Sequence, residues 1–212
     1  MSPLVSNESF DEPLTLPNRR RVLAWALAGL GALAYQAAAA DGVVVVAGQR
    51  FQRQVQVAGV DLQLNGTGVR GWYKAYAAGL YLPSPEHDAA QVVAEAGPKR
   101  LQLRMRFVLP ASAFADAFRT GLLRNVSPAE GARLEPGIAA FEARVKALGK
   151  VHEDDVIDLD FDPARGLVFA LNGQAQGAPI AIEGLYAAML LAFIGPKPYD
   201  GKLKSGLLGE GG

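Results

Sequence analysis

The chain has 212 residues, with 21 basic and 21 acidic side chains, two histidines and no cysteine. Balanced, scattered charge sets up no field that would draw nucleic acid or an anionic membrane. Without thiols there are no disulfides, thiolate metal sites or lipoprotein anchor, so the fold must hold by its core alone.

Residues 1–40 read as a targeting segment. A polar leader ends in Arg19, Arg20 and Arg21, an apolar run spans residues 22–35, and the small residues Ala37 to Ala40 precede Asp41. That is the pattern of a signal peptide cleaved near Ala40. The order NRRRVL suggests twin-arginine export to the periplasm, although Ala24 replaces the usual lysine and leaves the Sec route open. The alternative is an uncleaved anchor, against which the apolar run falls short of the ~20 residues that a bilayer span needs. The mature chain, residues 41–212, is also formally neutral and of a size for one domain.

Strands are expected over residues 43–47, 51–57 and 60–70, separated by turns at Gly48-Gln49 and Ala58-Gly59, as an antiparallel meander. In the third of these, Val60, Leu62 and Leu64 alternate with Asp61, Gln63 and Asn65, the signature of a half-buried strand, and Arg70 continues the apolar parity. After a reversal around Gly71, Trp72 and Tyr73, the next strand carries Lys74, Tyr76, Ala78, Leu80 and Leu82 on one parity. A hairpin centred near Tyr73 sets Arg70 opposite Tyr76, so that a guanidinium and a phenol converge. A bulge at Gly66 or Gly68 would flip this facing.

Pro83 and Pro85 end the pairing; residues 87–96 read as a short helix and 100–109 as a strand with Leu101, Leu103, Met105 and Phe107 on one face. A helix from Pro110 and Ser112 to about Leu123 carries Phe114, Phe118 and Leu122 as a core stripe. Ser127, Pro128 and Glu130 form a capped start, and Pro136-Gly137 should break that helix before another over residues 138–148. Residues 156–162 and 167–171 form a hairpin, a further strand is expected near Ile180, and a helix covers residues 183–194. This order argues an α+β fold, an antiparallel sheet with helices packed on one face.

Three motifs invite chemistry and are better read as structure. Gly66, Gly68 and Gly71 match G-x-G-x-x-G, with Asp88 beyond, but the following WYKAYAAGLYL is a strand and not the helix of a dinucleotide site. DLDFDP, residues 158–163, lacks the glycine and terminal acid of a calcium loop and reads as a solvated strand face. His87 and His152 sit in polar stretches with no ligand partner at suitable spacing, so neither a metal nor a cofactor is expected. Arg70 is the exception. It is either a structural arginine paired to a carboxylate or to helix-end carbonyls, or the anchor of a ligand, with Tyr76 adding a hydrogen bond. Lys74 shares its parity and is as easily a solvated side chain at the mouth.

The run GVRG followed by KAYAAGLYL resembles the paired strands of the chalcone isomerase superfamily, and IEGLYAAMLLAFIGPKPYDGKLKSGLLG, residues 182–209, is similar to its closing helix, turn and Leu-rich end. The resemblance covers roughly residues 44–209, is nearest to the bacterial chalcone-isomerase-like proteins, and implies an open antiparallel sheet covered on one face by helices, with a ligand cleft between them. In the plant isomerases an arginine and a network of threonine, tyrosine and asparagine assist cyclisation of an unsaturated ketone. Here Arg70 matches the arginine, Tyr76 stands at the threonine position, and the later helix presents Phe114 and Phe118. An Arg70 and Tyr76 pair is instead similar to the family's fatty-acid-binding members. The expected function is therefore an exported, cofactor-free binder of a fatty acid or similar apolar carboxylate. The alternatives are an isomerase, or intramolecular lyase, on an enone or phenolic substrate, and an envelope interaction protein without a small ligand.

Overall fold

The computed structural model describes residues 42–70 and 75–210. The expected signal segment, the reversal at Gly71 to Tyr73 and Lys74 lie outside these residues. From Gly42 onward the chain forms one compact unit.

Eleven strands are described: β1 (Val43–Val46), β2 (Gln49–Gln52), β3 (Gln54–Val57), β4 (Val60–Val69), β5 (Tyr76–Leu82), β6 (Lys99–Met105), β7 (Leu109–Pro110), β8 (Lys150–Val151), β9 (Val156–Asp162), β10 (Gly166–Leu171) and β11 (Gln174–Ala175). Five helices accompany them: α1 (Ala89–Ala94), α2 (Ala111–Leu123), α3 (Pro128–Ala147), α4 (Leu185–Ile194) and α5 (Gly201–Leu207). Seven strands make one antiparallel sheet in the order β11-β10-β9-β6-β5-β4-β3. Its helix-facing side carries the main core, in which Tyr76, Ala78, Leu80 and Leu82 of β5 meet Leu101, Leu103 and Met105 of β6 and the apolar sides of α2, α3 and α4. The α+β architecture with helices on one face is thus the one expected.

Four local expectations are corrected. β1 and β2 do not join the meander: they form a separate two-stranded sheet, because the chain bends at Arg53 between β2 and β3. Phe107 is exposed and not in the core, since β6 ends at Met105 and its alternation ends with it. Pro136 lies inside a continuous α3. Its missing N–H faces solvent beside the exposed Ala132, while Gly137 turns inward against Leu185, too close for a side chain. Finally, the aspartates of DLDFDP are not a solvated face. Cross-strand register sets Asp160 against Arg100 and Asp158 against Gln102, with hydrogen bonds of 2.6 and 2.7 Å in the first pair and 2.8 Å in the second. Asp158 and Asp162 are buried, the latter bonded to Arg165 at 2.6 Å. Facing basic and amide side chains cover what an isolated alternating strand would expose.

The expected cap at Ser127 is present, its hydroxyl accepting the Glu130 N–H at 3.2 Å. No helix among the described residues is long and apolar enough to cross a membrane.

Candidate functional site

The register of β4 and β5 pairs Gly68 with Ala78 and Val69 with Ala77, so Arg70 stands opposite Tyr76 and its N–H donates to the Tyr76 carbonyl at 3.2 Å. That is the pairing a reversal centred on Tyr73 requires. The facing comes about differently from the simple alternation. Between Leu64 and Gly66 the register slips, leaving Asn65 as an extra residue. Leu62 and Leu64 therefore pack with Tyr81 and Val57 on the face away from the helices, whereas Gly66, Gly68 and Arg70 turn toward them. The bulge moves Arg70 from the parity of Leu62 and Leu64 to the helix-covered side, beside Tyr76.

What covers that side is α5. A Cβ on Gly66 would collide with the Gly206 carbonyl and lie 2.7 Å from that of Leu207; one on Gly68 would lie 3.0 Å from the Leu203 carbonyl. Bare glycines let the helix lie directly on the strand. The Asn65 amide ties the two together by donating to the Leu207 and Glu86 carbonyls, each at 2.9 Å. Asp200 starts α5 by accepting the Leu203 N–H at 2.9 Å. The residue before it, Tyr199, is thereby laid over the end of β4.

Its ring lies 4.7 Å from the Arg70 guanidinium carbon, and the Tyr76 ring lies 5.7 Å from the same atom. Each such stacking contributes roughly 0.5–2 kcal/mol depending on desolvation. On its other flank Tyr199 fits against Gly121 of α2, where a Cβ would come within 2.5 Å of the phenol oxygen, and its hydroxyl donates to the carbonyls of Ala117 and Phe118 at 2.9 and 3.2 Å. Tyr199 was not among the sequence candidates, because nothing local distinguishes it in the turn GPKPYDG; only the docking of α5 brings it to Arg70.

The ion pairs among the described residues involve Arg100, Arg119, Arg133, Lys146, His152 and Arg165, and none involves Arg70. The acids nearest the site are engaged elsewhere: Asp116 with Lys146 at 3.2 Å, and Asp200 with the first turn of α5. Arg70 is thus an arginine held by two aromatic rings, with donors left over. Burial pushes the Tyr76 phenol up to about 12, against the pull of the Arg70 charge. Burial also raises Tyr199, and the neighbouring Tyr76 adds to the effect. Both phenols stay neutral near pH 7 and act as hydrogen-bonding groups rather than bases.

Arg70 opens into a shallow depression of 290 Å³ lined also by Asp116, Ala117, Thr120, Arg124 and Tyr199. Behind it the expected cleft between sheet and helices is filled: Tyr76 and Phe118 are buried, and Phe118 packs on Phe141 at 4.2 Å. Phe114 and Phe118 are core residues, and the Thr120 hydroxyl donates to the Asp116 carbonyl at 2.8 Å. Asn125, just past α2, is occupied in bridging Gly121 to Lys197 through their backbones. Among the described residues no group of acids and histidines could hold a metal ion.

Comparison with known proteins agrees with this fold. The family model described as chalcone isomerase-like matches residues 43–209. Among solved structures, the fatty-acid binding protein AtFAP1 of Arabidopsis thaliana superposes with a TM-score of 0.60 at 19% identity, over 79% of this chain and 96% of that one. No curated protein matches in sequence at a significant level.

Proposed function

Because the chain belongs to the chalcone isomerase-like family, and because its one arginine on the helix-covered end of β4 has no carboxylate partner among the described residues, we propose that it binds a fatty acid or a similar apolar carboxylate. The observation that carries the reading is the Arg70 guanidinium, stacked between Tyr76 and Tyr199 and open to the depression beside α2. A guanidinium offers forked donors to a carboxylate, and a neutral Tyr76 hydroxyl can donate one more hydrogen bond. Arg124 at the rim adds attraction for an anion. The structural neighbour's name, a fatty-acid binding protein, supports the same ligand class.

The acyl tail enters between the sheet and α2. Since that interior is filled, entry displaces Phe118 or shifts α2 outward, a rearrangement of the kind that a substantial minority of binding proteins undergo. Binding is favoured over catalysis because the phenols beside Arg70 do not titrate near neutral pH, as an acid-base group for cyclisation would have to. The order of basic, apolar and small residues in 19–40 supports export of the binder to the periplasm.

Mass spectrometry of material extracted from protein purified from its native envelope tests the reading. A bound fatty acid or related apolar carboxylate is expected. Enantioselective, protein-dependent cyclisation of a chalcone panel would replace it with the isomerase. Absence of any bound or exchangeable small molecule would leave an interaction protein.

A further inference from the structure

At the opposite end of the sheet lies another concavity, larger than the one at Arg70. β6 runs from Lys99 to Met105, and Met105 pairs with Tyr76, so six residues at ~3.3 Å each put Lys99 ~20 Å from the Arg70 end. The concavity measures 450 Å³, within the range of small-molecule pockets. Its walls are the apolar faces of Phe161, Leu167, Ile182 and Tyr186. The Tyr186 hydroxyl is already spent on the Leu159 carbonyl at 3.1 Å, so its ring contributes surface and no donor.

Two features in this cavity favour a negative charge. The first is Lys99, only 2% exposed, whose ammonium donates to the carbonyls of Glu95 and Gly97 and lies 5.3 Å from the Phe161 ring centroid. An ammonium has three donors, and two are used. Lys99 is in none of the ion pairs among the described residues, although a buried cation gains from a carboxylate in contact. The second is the start of α4. Gly184, at φ 79°, gives this helix no side-chain cap, and the first-turn residues Tyr186 and Ala187 line the cavity. Uncapped first-turn N–H groups and the helix dipole attract anions.

We propose that this cavity is a second ligand site, taking a medium-chain carboxylate whose head sits between the Lys99 ammonium and the first turn of α4, with its chain along Phe161, Leu167 and Ile182. The remaining charges at the rim are net acidic, with Glu95 and Glu183 against Arg165, which shares its charge with Asp162. Specificity for the anion therefore comes from the buried lysine and the helix end. Burial lowers the affinity of Lys99 for its proton, which the ligand's charge would restore.

Octanoate titrated into the delipidated full chain tests this by calorimetry, with 2-octanone as the uncharged control. Arg70→Ala should retain one octanoate site per chain. In that background Lys99→Met should weaken octanoate ~10-fold or more, the usual effect of losing a hydrogen bond to a charged group. Ala187→Phe, which fills the cavity and leaves the lysine in place, should weaken it at least as much. In the otherwise wild-type chain, either change should remove one of two binding steps, which covers the case in which Arg70→Ala does not fold. Loss of all octanoate binding in folded Arg70→Ala would overturn the second site. So would octanoate binding that neither Lys99→Met nor Ala187→Phe alters, or 2-octanone binding as tightly as octanoate. Failure of the Arg70 reading is separate: it appears as wild-type binding indifferent to Arg70→Ala.

Discussion

Gly66→Ala should unhinge the site from a distance, because Gly66 supports α5 and α5 supports Tyr199. The new methyl would press on backbone: it would collide with the Gly206 carbonyl oxygen, approach that of Leu207 to 2.7 Å and reach the Gly209 nitrogen at 2.8 Å. Backbone cannot rotate away as a side chain can, so α5 must lift. Leu203 and Leu207, both fully buried, then lose part of their contact with the sheet. Complete exposure of a leucine costs roughly 1.5–3 kcal/mol, so two leucines half-released cost about 1.5–3 kcal/mol. Urea unfolding of the purified variant measures this directly. Gly201→Ala is the control, since a Cβ there meets nothing within 4 Å and the position is helical; it should be neutral or stabilise by about 0.5–1 kcal/mol. Equal stability of the two variants would refute the claim that the bare glycines of β4 seat the terminal helix.

Gly121→Ala should cost about 1–3 kcal/mol of stability, because its methyl would overlap the Tyr199 ring, and should weaken carboxylate binding more than Gly201→Ala does in parallel titrations. Pro136→Ala should stabilise the chain by about 1–3 kcal/mol in the same unfolding assay, since it restores an N–H on the exposed side of an unbroken α3. The Tyr76 phenol, raised to about 12 by burial, holds its proton more tightly folded than unfolded. Its contribution to stability is therefore full below about pH 10 and lost as pH climbs toward 12, and Tyr76→Phe should flatten the fall in unfolding midpoint over that window. If the twin-arginine route is used, replacing Arg19, Arg20 and Arg21 with lysines should abolish export of the native protein, as read by fractionation and N-terminal sequencing; unchanged export would indicate the Sec route.

The strand pairing that joins Arg70 to Tyr76 was legible because a hairpin's register follows from its centre, and the centre lay among Gly71, Trp72 and Tyr73. The side on which Arg70 emerges was legible only in part: Gly66 and Gly68 raised a bulge, but period-two counting cannot place the extra residue at Asn65 that reverses every facing beyond it. The core stripe of Phe114, Phe118 and Leu122 could be read from four-residue spacing. Tyr199 could not, because its role depends on glycines far away in sequence that admit α5 against β4. Asp158 and Asp160 looked solvated for the same reason: the cover for a strand face is supplied by its neighbour, here Arg100 and Gln102 of β6.

The central claim is that Arg70 holds a carboxylate, and titration of dodecanoate against its methyl ester into wild type and Arg70→Ala tests it most directly. The ester should bind wild type weakly and ignore the substitution. The substitution should remove about 2–5 kcal/mol from the strongest dodecanoate step, with Tyr76→Phe removing about 0.5–1.5 kcal/mol and Arg70→Lys recovering only part of the loss. Equal binding of acid and ester, or a folded Arg70→Ala that binds dodecanoate as tightly as wild type, would contradict it and leave Arg70 a structural residue clamped between two tyrosines.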